Sequence, residues 1–381
     1  MILPAVAGIL LVAAILWEAF EAIVLPRRVR RRLRFTVMFY RGSWFPWRAI
    51  ARRIKKKSRR EAFLGIYGPL SLLYLLAFWA VLIVLGFGLI FLSASAHDGA
   101  PMHFSTCLYL SGTTFVTLGL GDVIPQSPLE RFLVVIECGI GLGFLALVLS
   151  YLPVIYQAFS RREVNIVLLD ARAGSPPTAT ELLRRHSGPR GLDALQQLLH
   201  DWERSAADIL ESHISYPAVC YFRSQHANES WLGALTAILD TCALTLVGVE
   251  NSPCARQAKL TFAMCRHAVV DLSQVFNVAP RRAAHDRLPP ADFERLSAVL
   301  TEAGFSLLDS STAREKLLKA REMYEPYLQA LAAFFFVQLP PWILAQEAMD
   351  NWKTSAWGRI RGFGEPDPSP SSLPQLDDHA D

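Results

Sequence analysis

The six residues Thr117-Leu118-Gly119-Leu120-Gly121-Asp122 place a hydroxyl first, glycines at alternating positions and an acid last. Glycine adopts φ > 0 without steric cost. Gly119 and Gly121 therefore let the backbone alternate its handedness, so that successive carbonyls face one way. A row of inward-facing carbonyls from several chains can replace the water around a small cation. Such chemistry needs no nucleophile, only carbonyl oxygens held in register. At membrane depth, irregular backbone of this kind is tolerated only where protein buries it or water lines it.

The flanking sequence supplies that depth. The chain has 381 residues, 52% of them hydrophobic and 19% charged. No Asp, Glu, Lys or Arg occurs from Ala62 to Ala96, and from Phe132 to Ser160 the one such residue is Glu137. About 20 apolar residues cross a hydrocarbon core roughly 30 Å thick, so both stretches qualify as spans. Met1 to Leu25 makes a third, with basic residues after its apolar run rather than before it, unlike a cleaved signal. The stretch from His103 to Val116 is one short helix, too short to cross. It must enter and turn back, with Pro125 and Pro128 suiting the return. The C-terminal end of such a helix carries partial negative charge, which favours a cation over an anion.

Charge fixes an expected topology. Residues 1–158 carry 16 basic and 7 acidic side chains, whereas residues 159–381 carry 22 and 27. Fifteen Arg and Lys lie between Arg27 and Arg60 with no acid among them. Beside membrane spans, such a block reads as a cytoplasmic loop. This puts the N-terminus outside, the C-terminal region in the cytoplasm, and the chain as a multi-pass protein in the cell membrane. Phe39, Tyr40, Trp44, Phe45 and Trp47 interleave with those arginines. The loop 27–60 is thus expected to bind anionic lipids; contact with the acidic C-terminal region competes for the same charge, and nucleic acid is not an expected partner.

The expected organisation is an N-terminal span (1–27), a basic cytoplasmic loop (28–62), a pore domain (63–158), a linker (159–180), a helical cytoplasmic domain (181–360) and a disordered tail (361–381). Residues 164–170 read either as a short strand or as the end of a helix. The run Leu328 to Ala345, broken by Pro340 and Pro341, reads as a buried helical hairpin rather than a span. The six cysteines show no C-x-x-C pair, and Cys242, Cys254 and Cys265 with His267 fit no zinc spacing. Scattered histidines show no nucleophile or metal pattern, so no enzyme is expected. The segment around Ser212 and His213 reads as a helix-ending turn.

The re-entrant segment resembles the pore of the potassium channel family with two spans around one pore loop, whose filter reads T-V-G-Y-G-D where this chain has Thr117 to Asp122. The likeness continues through Pro125, Arg131 and Gly141 and covers about residues 66–157. It implies an all-α membrane protein: a tetrameric pore-loop channel with three transmembrane helices per chain, a re-entrant pore helix and a mostly helical soluble C-terminal domain. It also implies that the carbonyls of Thr117, Leu118, Gly119 and Leu120, with the Thr117 hydroxyl and Gly121, bind permeant K+, with no cofactor and no further metal. Asp122 would brace the filter, Gly141 would be a hinge of the pore-lining helix with Gly139 adding flexibility, and Pro153 would kink that helix. Two departures stand out. Leu120 replaces the aromatic residue that braces the family's filter, as in some eukaryotic relatives with two pores per chain, and implies weaker rejection of sodium. Thr113 stands where many relatives have an acid facing the filter aspartate, and Glu137 is expected to substitute for it. No span carries spaced arginines, so voltage is not the expected trigger, and no G-x-G-x-x-G follows Arg161. The ligand of the C-terminal domain is not readable. The competing function is a membrane-anchored receptor or interaction protein whose pore does not conduct.

Overall fold

A computed structural model of the chain describes residues 2–24, 35–97, 102–188, 190–226, 228–248, 253–282, 285–305 and 310–344. The basic residues 27–34 and the tail 361–381 lie outside the described residues, and so do residues 345–360. The described elements are helices α1 (Ile2–Ala19), α2 (Phe35–Arg53), α3 (Lys57–His97), α4 (Phe104–Phe115), α5 (Pro128–Ala173), α6 (Ala179–Arg185), α7 (Gly191–Ser215), α8 (Trp231–Gly248), α9 (Pro253–Val275), α10 (Pro290–Glu302), α11 (Ser310–Glu322) and α12 (Glu325–Phe335). Among the described residues there is no strand. The chain is an all-α membrane protein with a helical C-terminal part.

Among the described residues, four helices are long and apolar enough to cross a membrane: α1 with its continuation to Ile23, α3, α5 and α8. Burial separates them. In α8, 89% of the apolar window is enclosed by protein, against 11% in α5. Helix α8 is surrounded by α5, α6, α7, α9, α11 and α12. A helix apolar on all sides is either a span or the core of a large domain, and α8 has the enclosure of the second.

Helix α1 lies along α3 at a close crossing. A Cβ added to Gly8 would stand 2.4 Å from the Gly86 carbonyl oxygen, so the two backbones touch through glycine, as small residues permit in lipid. Helices α3 and α5 have 41 and 46 residues, about 60 and 70 Å at 1.5 Å per residue. Both outrun a bilayer core and carry the span directly into the C-terminal part.

Three sequence expectations change. The stretch 159–180 is helical as far as Ala173, where Gly174 ends α5 at φ +80°. Residues 164–170 are thus helix end, because Ile166 and Leu169 bury against the C-terminal helices. The basic segment contains α2, whose Tyr40 and Trp44 are buried. Tyr40 stacks on Tyr221 at 5.1 Å, Trp44 Nε1 donates to the Phe334 carbonyl at 3.0 Å, and Arg48 donates to the Ala333 carbonyl at 2.9 Å. The segment 328–345 is half a hairpin: α12 stops at Phe336, which turns left-handed at φ +56°, and no helix follows through Leu344.

A buried ion network closes the C-terminal part. Arg287 donates to Asp240 of α8 at 2.7 Å, to Glu325 of α12 at 2.9 Å and to the Pro340 carbonyl at 2.8 Å. Tyr324 also donates to Asp240, which is 1% exposed. Removing one partner of a buried pair leaves an uncompensated charge and costs about 3–5 kcal/mol. Arg287→Met is therefore expected to melt the full-length protein in detergent well below the parent, which circular dichroism would read.

Candidate functional site: the re-entrant pore loop

Helix α4 has 12 residues and sits between α3 and α5. Cys107, Leu110 and Phe115 bury toward them, and the Phe115 and Phe144 rings lie 5.7 Å apart. The Ser111 hydroxyl ties the helix on both sides. It lies 2.9 Å from the Val84 carbonyl of α3, to which it donates, and 2.5 Å from Glu137 Oε1 of α5. Glu137 is fully buried, and its Oε2 has no hydrogen-bond partner. Each such bond contributes on the order of 1 kcal/mol net. Ser111→Ala is expected to loosen the seat of α4 by about 1–3 kcal/mol, visible as faster amide exchange through residues 104–121.

The chain leaves α4 through a tight main-chain clasp. The Thr113 carbonyl accepts the Leu118 N–H at 2.8 Å and the Gly119 N–H at 3.3 Å, while Thr117 N–H donates to the Thr114 carbonyl at 2.9 Å. Left-handed φ then alternates along the segment: +58° at Thr117, +56° at Gly119 and +80° at Gly121. Thr117 is the one of the three with a side chain, and a non-glycine residue at φ > 0 costs about 1–2 kcal/mol. Leu118 and Leu120 are 58% and 62% exposed. The candidate filter is thus a strained strap whose leucine side chains are more than half exposed.

Its bracing differs from expectation. Asp122 accepts from the Tyr109 hydroxyl of α4 at 2.8 Å. Glu137, expected behind Asp122, holds Ser111 instead. Thr113 turns its own hydroxyl back to the Tyr109 and Leu110 carbonyls, both at 3.0 Å, and supports the strap through its main chain.

Gly141 is a contact point. A Cβ there would stand 2.1 Å from the Phe115 carbonyl oxygen, so only glycine lets α5 close on the end of α4. At Gly139 and Gly143 an added Cβ meets nothing within 4 Å. Pro153 lies inside α5, which continues through it. A capping box starts α5: Ser127 Oγ accepts from Glu130 N–H at 3.2 Å, and Glu130 Oε2 accepts from Ser127 N–H at 3.3 Å.

Sequence reasoning missed a residue at the other end of α5. Arg162, just after the uncharged run that ends at Ser160, is 1% exposed. It donates to the Val219 carbonyl at 3.1 Å and the Phe222 carbonyl at 2.9 Å, pairs with Glu163 at 3.0 Å, and lies 3.2 Å from His213 Nε2. Burial, followed by the Arg162 charge, pushes the His213 imidazole well below the usual histidine range and keeps it neutral. The local sequence held one signal, a basic pair followed by an apolar helical stretch, which allows a helix that continues into protein.

A pore helix seated between two spans, and a glycine strap behind it, define a pore-loop membrane protein. Comparison with known proteins agrees: residues 72–157 match the family described as Ion channel. The chain is also 22% identical over 285 residues to Uncharacterized membrane protein YdjJ of Bacillus subtilis (strain 168), covering 72% of this chain and 80% of that one. No solved structure matches the chain.

Proposed function

We propose that four copies of this chain form a potassium-permeable channel, with residues 117–121 of each lining one axis. The observation that carries the reading is the alternating left-handed backbone at Thr117, Gly119 and Gly121, set at the end of a pore helix between two spans. Carbonyls from one chain cannot encircle an ion, and a cyclic assembly supplies the ring. The exposed apolar face of α5, with Phe132, Val135, Leu142, Leu145 and Leu149, is available to neighbouring copies, to the pore and to lipid. Leu120 offers no hydroxyl to brace the strap, so potassium is preferred over sodium less strictly than with an aromatic there.

The long α5 makes the C-terminal part a lever on the pore. Arg162 locks its extension to the segment after α7, so a shift of the C-terminal helices moves the pore-lining helix with Gly141 as its contact on the filter. The exposed Arg41, Arg53, Lys55, Lys56 and Arg59 suit anionic lipid headgroups, and in this reading the C-terminal part is cytoplasmic. Nucleic acid and a resident cofactor have no part in it.

Currents in a planar bilayer, with potassium on one side and sodium on the other, test the reading. The expected reversal potential lies on the potassium side of zero. A reversal at zero with robust current indicates a non-selective pore, and no current supports the anchored-receptor alternative.

A further inference from the structure

Helix α5 leaves its apolar stretch at Ser160 and runs on to Ala173. On that extension Val164, Val167 and Leu168 are 57%, 39% and 57% exposed. Among the described residues from 159 onward, six large apolar side chains are exposed, and these three are half of them. Spacings of three and four put them on one face of the helix, while Ile166, Leu169 and Ala173 are buried on the other side. Scattered exposed apolar residues need no explanation, but a contiguous stripe marks a contact surface. Charged groups flank this one: Arg161 pairs with Asp208 of α7 at 3.5 Å, and Arg172 is exposed one turn beyond Leu168. Lipid tails are therefore a poor cover for it.

Leu344, the last described residue, stands at the foot of the stripe. Thr180 Oγ1 donates to the Trp342 carbonyl at 2.6 Å, and a Cβ added to Gly174 would lie 3.2 Å from Leu344 Cδ1. Gly174 closes α5. Val167 comes seven residues earlier, two turns up the same side.

The sequence that follows supplies an occupant. Ala345, Met349, Trp352, Ala356 and Ile360 recur at steps of three and four, and Glu347, Asp350, Asn351 and Thr354 fall on the opposite side. At 1.5 Å per residue, residues 345–360 make a helix of about 24 Å. Measured back from Gly174, that length of α5 passes Leu168 and Val164. In antiparallel register Trp352 falls level with Val167 and Leu168, and Ala356 with Val164. A short tether also holds the segment at an effective concentration in the millimolar range, which favours it over a free partner.

We propose that residues 345–360 pack as an amphipathic helix, antiparallel to α5, on Val164, Val167 and Leu168 of the same chain. The segment then clasps the extension of the long α5 on the side that the other C-terminal helices leave open. The contact lies within one chain, so it stands or falls separately from the conduction reading.

Thiol labelling of the full-length protein in detergent tests this. With Leu168→Cys, reaction with a hydrophilic maleimide is expected to be slow. It should become at least tenfold faster when Trp352→Glu is added, or when the chain is ended at Leu344. The native cysteines are buried or half-buried, and the parent chain supplies the background rate. In the Leu168→Cys, Trp352→Cys double variant, mild oxidation should join the two positions within one chain, read as a linked peptide pair from the single-chain band of a non-reducing gel. Three results would overturn the proposal: a thiol at 168 that reacts equally fast in every chain, a disulfide that joins two chains and so makes a second copy the occupant, or protection that appears in lipid vesicles and is absent in detergent. The cross-link uses the full chain, so it decides the matter even where the shortened chain does not fold.

Discussion

Gly141→Ala is expected to abolish potassium flux, whereas Gly139→Ala and Gly143→Ala produce much smaller losses. All three change a helical glycine on the same stretch of α5, and on helix propensity alone each would be slightly stabilising, by about 1 kcal/mol. What separates them is what the new methyl group meets. At Gly141 it meets the Phe115 carbonyl oxygen at 2.1 Å, and at the other two nothing within 4 Å of the same chain. The obstacle is main chain at the last residue of α4, so no rotamer change can relieve it. Overpacking a close contact costs about 1–3 kcal/mol, and here the relief is a shift of α4 away from α5. The strap hangs from α4 through the Thr113 carbonyl, so that shift moves the carbonyls of Thr117 and Leu118. Liposome flux on the three variants, side by side, measures the difference. Equal losses would mean that Gly141 acts as a flexible joint rather than as a contact.

The Gly119→Ala, Gly121→Ala double variant carries the second large effect. Both positions are left-handed, at φ +56° and +80°, where a Cβ costs about 1–2 kcal/mol per residue. Space is not the obstacle, since nothing lies within 4 Å of either added Cβ. The penalty is conformational, and a ring of four copies multiplies it to about 8–16 kcal/mol per channel. The strap is expected to relax to an ordinary extended backbone and lose its row of carbonyls. Potassium flux should fall to that of empty vesicles, while the melting of the C-terminal helices is unchanged. The C-terminal part has its own core around α8.

The parts of this protein that were legible in its sequence are those written in local pattern. Uncharged runs marked the spans, and the spacing of Gly119 and Gly121 matched their left-handed backbone. Pro125 and Pro128 suited the return of the chain after the strap. The remainder depends on partners far along the chain. Tyr109 reaches Asp122 because the strap folds back beside α4, a relation no periodicity encodes. Glu137 faces Ser111 rather than Asp122 because α5 meets α4 at mid-height. Arg162 has the composition of a surface residue and is buried only because the segment after α7 wraps it with carbonyls. Helix α8 shows the opposite ambiguity. Its apolar window satisfies a membrane-span criterion, and only its enclosure by six other helices places it in a protein core. The aromatic residues of α2 likewise suited a lipid surface, yet Tyr40 and Trp44 turned out to face Tyr221 and Phe334.

A density map of the solubilised full-length protein in potassium is the most direct test of the central claim. The account predicts four chains around one axis, with density for dehydrated ions on that axis between the carbonyls of Thr117 and Gly121. Particles of one chain in both detergent and lipid discs, or a ring whose straps stand too far apart to touch a shared ion, would contradict it.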